Sequence, residues 1–375
     1  MNGEDESMQK ARTWFFFIGT EAELIKVFPV IIEARKRGIE YHIIASGQND
    51  ITSSRILKEL DCGEVELELS RESEIKKSAA GLMSWWAKTY RGAGKKIRER
   101  FSGCDFTKAY MIVHGDTVST YMGARIGKKL GMTVCHIEAG LRSHHLLNPF
   151  PEEIDRLLTS RTARIHFAPG DEAASNLKKA RGTVVNTEQN TLLDSLRYSR
   201  EIPVASDIGG ILGKDYFVFV LHRQENLAAK EFVSGVVGEI ERAAEKKTCV
   251  FILHEITQNA LAKFGLLERL KANPKVILHK RVDYFDFMKL LDGAAFVITD
   301  GGSNQEELYY MNKPCLILRK ATERNEGIGI NCRLFNGDPK DIRTFIDSLG
   351  EQADEGRTPV TGEPSKKIAD TLEAV

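Results

Sequence analysis

The chain of 375 residues has no excess of either charge: 53 Lys plus Arg stand against 53 Asp plus Glu, a formal net charge of zero. Bulk electrostatics therefore gives no reason to expect non-specific binding to nucleic acid or to an anionic membrane, and any anion site must be local. Long apolar runs are missing too. Trp14–Ile18, which follows the polar stretch Met1–Thr13, is too short for a signal core or a membrane span, and no other run approaches spanning length. The six cysteines (Cys62, Cys104, Cys135, Cys249, Cys315, Cys332) include no Cys-x-x-Cys pair, which argues against a disulfide framework and a structural zinc module. The first turn lacks Gly-x-Gly-x-x-Gly, so a dinucleotide fingerprint is absent. These absences lead to the expectation of a reduced, cytoplasmic protein with no nucleic-acid partner, no membrane attachment and no nicotinamide cofactor.

What is present is an ordinary globular composition, 42% hydrophobic and 28% charged, in a length that suits two domains. Short β-rich runs alternate with longer amphipathic stretches, the pattern of strand-helix-strand units on a parallel sheet. Strands are expected at Trp14–Ile18, Tyr41–Ala45, Ala109–Val113 and Thr133–Ile137, with a helix from about Ala22 to Arg37. The pattern restarts after about Leu196, following a Pro- and Gly-containing stretch at Glu201–Gly213. Further strands fall at Tyr216–Leu221, Cys249–His254, Val276–Leu278, Phe296–Thr299 and Cys315–Leu318, and helices near Ala228–Lys247, Ser303–Met311 and Ser365–Ala374. The fold class is thus α/β, two Rossmann-like doubly wound domains facing a central cleft. The expected domains are residues 1–198 and 199–375, with the final helix able to pack back on the first. Trp85, Trp86 and the basic run Arg91–Arg100 read as a solvated helix face with aromatic packing.

Candidate chemistry lies where strands should end, because open α/β sheets place ligands there. Gly19-Thr20-Glu21-Ala22-Glu23 reads as a capped helix start, with Lys26 one turn further on. In His114-Gly115-Asp116-Thr117 the Asp116 carboxylate either caps the next helix or faces the cleft. His136-Ile137-Glu138 puts His136 and Glu138 on one face of a strand end, followed by Ala139-Gly140-Leu141-Arg142. In Asn148-Pro149-Phe150-Pro151-Glu152-Glu153, Glu152 belongs to the first turn of a helix, where the dipole favours its ionised form. His222, with Arg223, follows a buried strand, and imidazole titrates near neutrality. Asp300-Gly301-Gly302-Ser303 runs through two glycines into a helix, offering backbone N–H groups to an anion, with Glu307 one turn in. A metal reading of His136, Glu138, His144 and His145 finds no third ligand at standard spacing, and His254-Glu255-Ile256-Thr257-Gln258 fails the zincin pattern, so no metal is expected.

Taken in order, GTEAE…K, HGDT, HIEAGLR, PFPEE, HRQEN and DGGSNQEE…NKP…R..TERNE resemble the motifs of the UDP-N-acetylglucosamine 2-epimerases, over about Gly19 to Glu326. The resemblance implies the GT-B architecture, usually as a homodimer, with a UDP-sugar as the bound partner and no cofactor. It implies reversible C2 epimerisation by the non-hydrolysing route: the C2 proton is removed as UDP leaves C1, and UDP adds back to the 2-acetamidoglucal with protonation on the other face. By motif position Asp116, Glu138 and Glu152 correspond to the catalytic carboxylates and His222 to the histidine beside the diphosphate. Lys26, Arg142, Arg223, Gly301, Gly302, Ser303, Glu307 and Arg319 correspond to substrate-binding positions.

Three departures accompany the resemblance. Glu21 stands where the family carries an arginine, reversing the charge expected to help hold the diphosphate. DGGSN replaces DSGGI, moving the hydroxyl to Ser303, and Gly47-Gln48-Asn49-Asp50 keeps only the first glutamine of the family's allosteric segment. The readings to be separated from epimerisation are a hydrolysing epimerase releasing UDP and free sugar, a GT-B glycosyltransferase, and a non-catalytic UDP-sugar binder.

Overall fold

The structure is a computed structural model that describes residues 12–74, 78–144, 151–322, 324–349 and 360–375. It divides into two compact units, one running through Ser195 and taking in Gly362–Val375, the other Leu196–Thr361. Each is built on its own parallel sheet.

The first sheet has seven strands: β1 (Thr13–Ile18), β2 (Tyr41–Ala45), β3 (Val65–Glu68), β4 (Ala109–His114), β5 (Thr133–Ile137), β6 (Ile165–Ala168) and β7 (Thr183–Asn186). Their order is β3-β2-β1-β4-β5-β6-β7, every pairing parallel. Helices cover both faces, which is why Trp14-Phe15-Phe16-Phe17-Ile18 is apolar without alternation: all five are buried. On one face Phe15, Phe17, Met111 and Val113 pack against Trp85 and Ile97 from the helix Ala79–Arg100, and against Met122 and Ile126 from the helix Val118–Leu130. The indole nitrogen of Trp85 donates to Ser70 Oγ (2.7 Å), while Trp86 stacks on Tyr90 and Tyr121. The C-terminal helix Pro364–Ala374 belongs to this unit. It buries Ile368, Ala369 and Leu372, and Leu372 O accepts from the Tyr110 hydroxyl at 3.1 Å.

The second sheet has six strands: β8 (Tyr216–Val220), β9 (Thr248–Leu253), β10 (Val276–Lys280), β11 (Val297–Thr299), β12 (Cys315–Ile317) and β13 (Cys332–Leu334). Their order is β10-β9-β8-β11-β12-β13, again parallel throughout. Phe217, Phe219, Phe251 and Ile298 pack under Val233, Val237 and Ile240 of the helix Lys230–Lys246. In both sheets the strand order reverses beside the first strand of the unit, between β1 and β4 and between β8 and β11. That switch point opens a crevice at the strands' carboxyl ends.

Four strands, β3, β6, β7 and β13, carry no clear signal in the sequence. Val-Glu-Leu-Glu in β3 is half-exposed, Ile-His-Phe-Ala in β6 buries a histidine, Thr-Val-Val-Asn in β7 lies at a sheet edge, and β13 has three residues. Each is too short for periodicity to register.

One contact tests the packing of the first unit. A Cβ on Gly123 would lie 2.5 Å from Phe17 Cδ1 and 2.9 Å from Val113 Cγ1, whereas one on Gly92 meets nothing within 4 Å. Helix propensity alone favours alanine by about 1 kcal/mol, but overpacking costs about 1–3 kcal/mol. Gly123→Ala is therefore expected to lower stability in urea denaturation by up to about 2 kcal/mol, while Gly92→Ala leaves it unchanged or raises it by up to about 1 kcal/mol.

Candidate active site

At the switch point of the first sheet, the turns after β1, β4 and β5 bring their side chains together. Thr20 caps the helix Glu21–Lys36 by accepting from Glu23 N (3.2 Å), and the Glu23 carboxylate returns to accept from Gly19 N (2.6 Å). Its other oxygen accepts from the Thr117 hydroxyl. Glu23 thus joins the turn after β1 to the turn after β4. Burial pushes its pKa up to about 7; the hydrogen bonds from Thr117 and Gly19 oppose the rise and the nearby Asp116 charge adds to it.

The cap of the helix Val118–Leu130 is Thr117, not Asp116. The Asp116 carboxylate is released from that duty and pairs with Arg156. Arg156 comes from the helix Glu152–Thr162 and also holds Glu153 at 3.2 Å. Glu153 is fully buried, pairs with Arg142 and accepts from Ser143 N (3.1 Å). Burial raises its pKa, but these partners outweigh burial and hold it below the usual carboxylate range.

Glu138 stands just past β5 with φ +61°, a strained backbone region for a residue with a side chain. Its Oε2 receives Lys26 Nζ and Asn190 Nδ2, with His114 Nε2 at 3.8 Å, and its Oε1 lies 3.9 Å from where a Cβ on Gly115 would sit. Lys26 and Glu138 are 6% exposed each and Asn190 is 3% exposed. The positive φ ends the strand alternation at Glu138, and His136 and Glu138 approach each other at the Gly115 turn rather than as neighbours on one strand face. His136 instead donates from Nε2 to Gly115 O (2.7 Å), and burial holds its pKa down to about 3. Its role is to brace the Gly115 turn.

Glu152 occupies the first helical position after Pro151. Its Oε2 and the Oδ2 of Asp155, one turn on, are buried and have no hydrogen-bond partner among the described residues. Burial, with the Asp116 and Glu152 charges, raises Asp155 to about 7. Glu23, His114, Asp155 and Asn190 thus join the sequence-derived set of Lys26, Asp116, Glu138, Arg142 and Glu152. The i, i+3 spacing of Glu152 and Asp155 was the available signal for one of them. His145, Asn148, Pro149, Phe150 and Glu323 lie outside the described residues, and His144 is exposed.

The second sheet builds a different site. Asp300, at the end of β11, is inaccessible and accepts from His222 N (3.0 Å), Arg223 N (2.9 Å) and Asn226 Nδ2 (3.1 Å), while His222 Nδ1 lies 2.9 Å from its Oδ1. Burial raises its pKa, yet His222, Arg223 N and Asn226 outweigh burial and the net shift is downward. The His222 ring stacks on His254 with centroids 4.6 Å apart, and burial, then His222 and Arg281, hold His254 down to about 4.

Gly301 precedes the helix Gly302–Tyr310, whose N-terminus has no side-chain cap. A Cβ on Gly301 would meet Asn304 Oδ1 at 2.5 Å and His222 Cε1 at 3.3 Å, so only glycine admits this approach. Asn304 accepts from Thr299 Oγ1 (3.1 Å) and donates to Glu307 Oε2 (2.9 Å), anchoring a carboxylate that is 3% exposed. Ser303 is exposed and Arg319 half-buried just past β12, while the Arg223 guanidinium pairs with Glu225. The uncapped amides and the helix dipole suit an anion. The first unit, by contrast, offers carboxyls in differing protonation states around a buried lysine.

A sequence model of the UDP-N-acetylglucosamine 2-epimerase family matches residues 32–373. The chain is 30% identical over 336 residues to the UDP-N-acetylglucosamine 2-epimerase of Methanocaldococcus jannaschii, covering 86% of this chain and 88% of that protein. It is 32% identical over 275 residues to the UDP-2,3-diacetamido-2,3-dideoxy-D-glucuronate 2-epimerase of Pseudomonas aeruginosa, covering 70% of this chain and 74% of that one. The crystal structure of the M. jannaschii enzyme in complex with UDP-GlcNAc and UDP superposes with a TM-score of 0.79 at 26% identity, covering 97% of this chain and all of the other.

The raised Glu23 carboxyl has a consequence for stability. Between about pH 4.5 and 7 the native state holds this proton while the unfolded chain releases it, so stability falls as pH rises through that window. The full shift corresponds to roughly 3 kcal/mol. Urea denaturation across this range is expected to show a flatter decline for Glu23→Gln than for the wild type; an unchanged slope would assign the decline elsewhere.

Proposed function

The chain belongs to the UDP-N-acetylglucosamine 2-epimerase family, and from that premise we propose that it interconverts UDP-N-acetylglucosamine and UDP-N-acetylmannosamine. The observation that carries this reading is the gathering of Asp116, Glu138 and Glu152, from three separate segments, around the switch point of one sheet. Inverting C2 needs proton acceptors and donors on both faces of that carbon, and one carboxylate does not supply both.

In the proposed reaction a carboxylate takes the C2 proton. The C2–H electron pair becomes the C1=C2 double bond, and the C1–O pair departs with UDP. Return of UDP to C1 and delivery of a proton to the opposite face of C2 completes the inversion. Lys26 and Asn190 fix the Glu138 carboxylate. Asp155 and Glu23, with pKa values near 7, supply exchangeable protons beside Asp116. Because these acids interact, they titrate as a set rather than as separate acid and base.

The diphosphate is assigned to the second unit. The amides of Gly302 and Ser303 at an uncapped helix start, with His222 positioned by Asp300, receive the leaving group's charge, and Glu307 accepts from the ribose hydroxyls. Arg142, Arg223 and Arg319 complete the proposed binding set. The family resemblance further supports a cytoplasmic homodimer. No helix among the described residues is long and apolar enough to cross a membrane.

Incubation with UDP-N-acetylglucosamine in deuterated water is expected to give UDP-N-acetylmannosamine and deuterium at C2 in both epimers, followed by NMR. Release of free N-acetylmannosamine with UDP would instead identify the hydrolysing reaction. Asp116→Asn, Glu138→Gln and Glu152→Gln should each lower turnover by about 10²-fold or more, with UDP affinity by calorimetry changed less than about threefold. Equal loss of turnover and UDP binding would assign these residues a structural part. Because the Pseudomonas aeruginosa relative is named for a diacetamido uronate sugar, that nucleotide sugar is the informative second substrate in the same assay.

A further inference from the structure

At the amino ends of the first sheet, away from the carboxyl ends that carry the candidate site, three segments bring together a thiol, an imidazole and two carboxylates. Glu40 precedes β2, His42 is its second residue, Glu66 is the second residue of β3, and Cys104 lies in the turn between the helix Ala79–Arg100 and β4. Glu66 Oε1 lies 2.7 Å from His42 Nδ1. With the Nδ1 proton donated to that carboxylate, the Nε2 lone pair is the free donor of the ring. Nε2 faces Cys104 Sγ at 3.9 Å and Glu40 Oε1 at 3.8 Å. One ligand atom from each of Glu40, His42 and Cys104 lies within 4.8 Å of the other two, the one such group of three among the described residues.

These separations are close to those of a metal centre. Around a tetrahedral ion with metal–sulfur near 2.3 Å and metal–nitrogen or –oxygen near 2.0–2.1 Å, neighbouring ligand atoms stand roughly 3.3–3.6 Å apart. The two distances from Nε2 exceed that by a few tenths of an ångström, within the reach of side-chain rotation. The imidazole is already aimed, packed against the Phe15 and Phe101 rings at centroid distances of 4.9 and 4.6 Å. A carboxylate on the far nitrogen is the arrangement that sets the tautomer of a metal-binding histidine.

Charge points the same way. Burial, Glu40 and Glu66 all act to raise the Cys104 pKa, so the surroundings disfavour a bare thiolate. The neighbouring cation, Arg100, lies 3.6 Å from Glu66 Oε2 on the far side of the ring. A dication among the three donors reverses that balance, because coordination releases the thiol proton to solvent and leaves the thiolate neutralised.

We propose that Glu40, His42 and Cys104 form a binding site for a zinc-like divalent cation, with Glu66 orienting His42 and the fourth position open to water. The mixed sulfur, nitrogen and oxygen donors suit zinc rather than magnesium or calcium. The ion ties the turn after the helix Ala79–Arg100 to the start of β2, a structural clip separate from the chemistry at the other end of the strands.

Cobalt(II), added to the chelator-stripped full-length protein, is the probe. The expected result is one ion per chain, with a thiolate-to-cobalt charge-transfer band, visible bands of four-coordinate intensity, and displacement by zinc. Cys104→Ser should abolish the charge-transfer band while the protein stays folded by circular dichroism. The other five cysteines are buried and do not supply it. Glu66→Gln should weaken the affinity by about 10–100-fold. Zinc at a hundredfold excess over its dissociation constant should raise the thermal midpoint of the wild type and not that of Cys104→Ser. A wild type without the band, or a band that survives in Cys104→Ser, overturns the proposal.

Discussion

The buried pair of Lys26 and Glu138 is the constraint around which the first unit is arranged. Removing two charges from water costs several kcal/mol per ion, and well-packed apolar residues often serve stability equally well. Such a pair is weak evidence for stability and better evidence for chemistry. The structure nevertheless spends much of its local order on it. Asn190 donates to the same carboxylate oxygen, Thr191 donates to Lys26 O, and Ser195 donates to Ile25 O. The segment from Asn190 to Ser195 therefore clamps the helix that carries the lysine, while the positive φ of Glu138 aims its carboxylate back over the Gly115 turn. Backbone strain and desolvation are both concentrated on one residue, Glu138.

Gathering further acids beside that pair creates a second difficulty, since neighbouring carboxylates repel. The chain answers in two ways. Arg156 and Arg142 neutralise Asp116 and Glu153, an arrangement that keeps Glu153 ionised although it is fully buried. Among the described residues Glu23 and Asp155 pair with no cation, and their pKa values rise to about 7. A proton-transfer site needs groups that are protonated about half the time near neutrality. Here that property comes chiefly from burying the two carboxyls, with the neighbouring acidic charges adding to the rise.

How much of this was legible in the sequence depended on whether a signal was local. The strands β1, β4 and β8 announce themselves as apolar runs because both sheet faces are covered. Asp116, Glu138, His222 and Gly301 were placed by the turns that end strands. Burial and partnership were not legible. Glu23 looks like any acidic residue in a first helical turn, and only the fold shows its carboxylate joining two turns. The geometry joining His136 to Glu138 was only partly legible, because strand alternation stops at Ile137, where the backbone leaves the extended region. His42, Glu66 and Cys104 are far apart in sequence, and no spacing rule connects them.

Glu21 bears on how a diphosphate is held. In place of a guanidinium the chain has a carboxylate, and Ser54 donates to it at 2.8 Å while also capping the helix Arg55–Glu59. The acid is thereby committed to local structure and is no substitute for the missing positive charge. If the diphosphate is bound as proposed, its stabilisation falls on Arg223 and Arg319 together with oriented dipoles: the amides at the start of the helix Gly302–Tyr310, and an imidazole fixed by Asp300 and stacked on His254. Dipoles act over shorter distances than a full charge and depend more steeply on geometry. The second unit is closely tied at this point. Gly301 has no room for a side chain, Thr299 and Asn304 lock the turn, and Asp300 is fastened by three backbone and side-chain donors. The dipoles of such a site must be built in advance, because a misaligned amide contributes little where a long flexible cation would still reach.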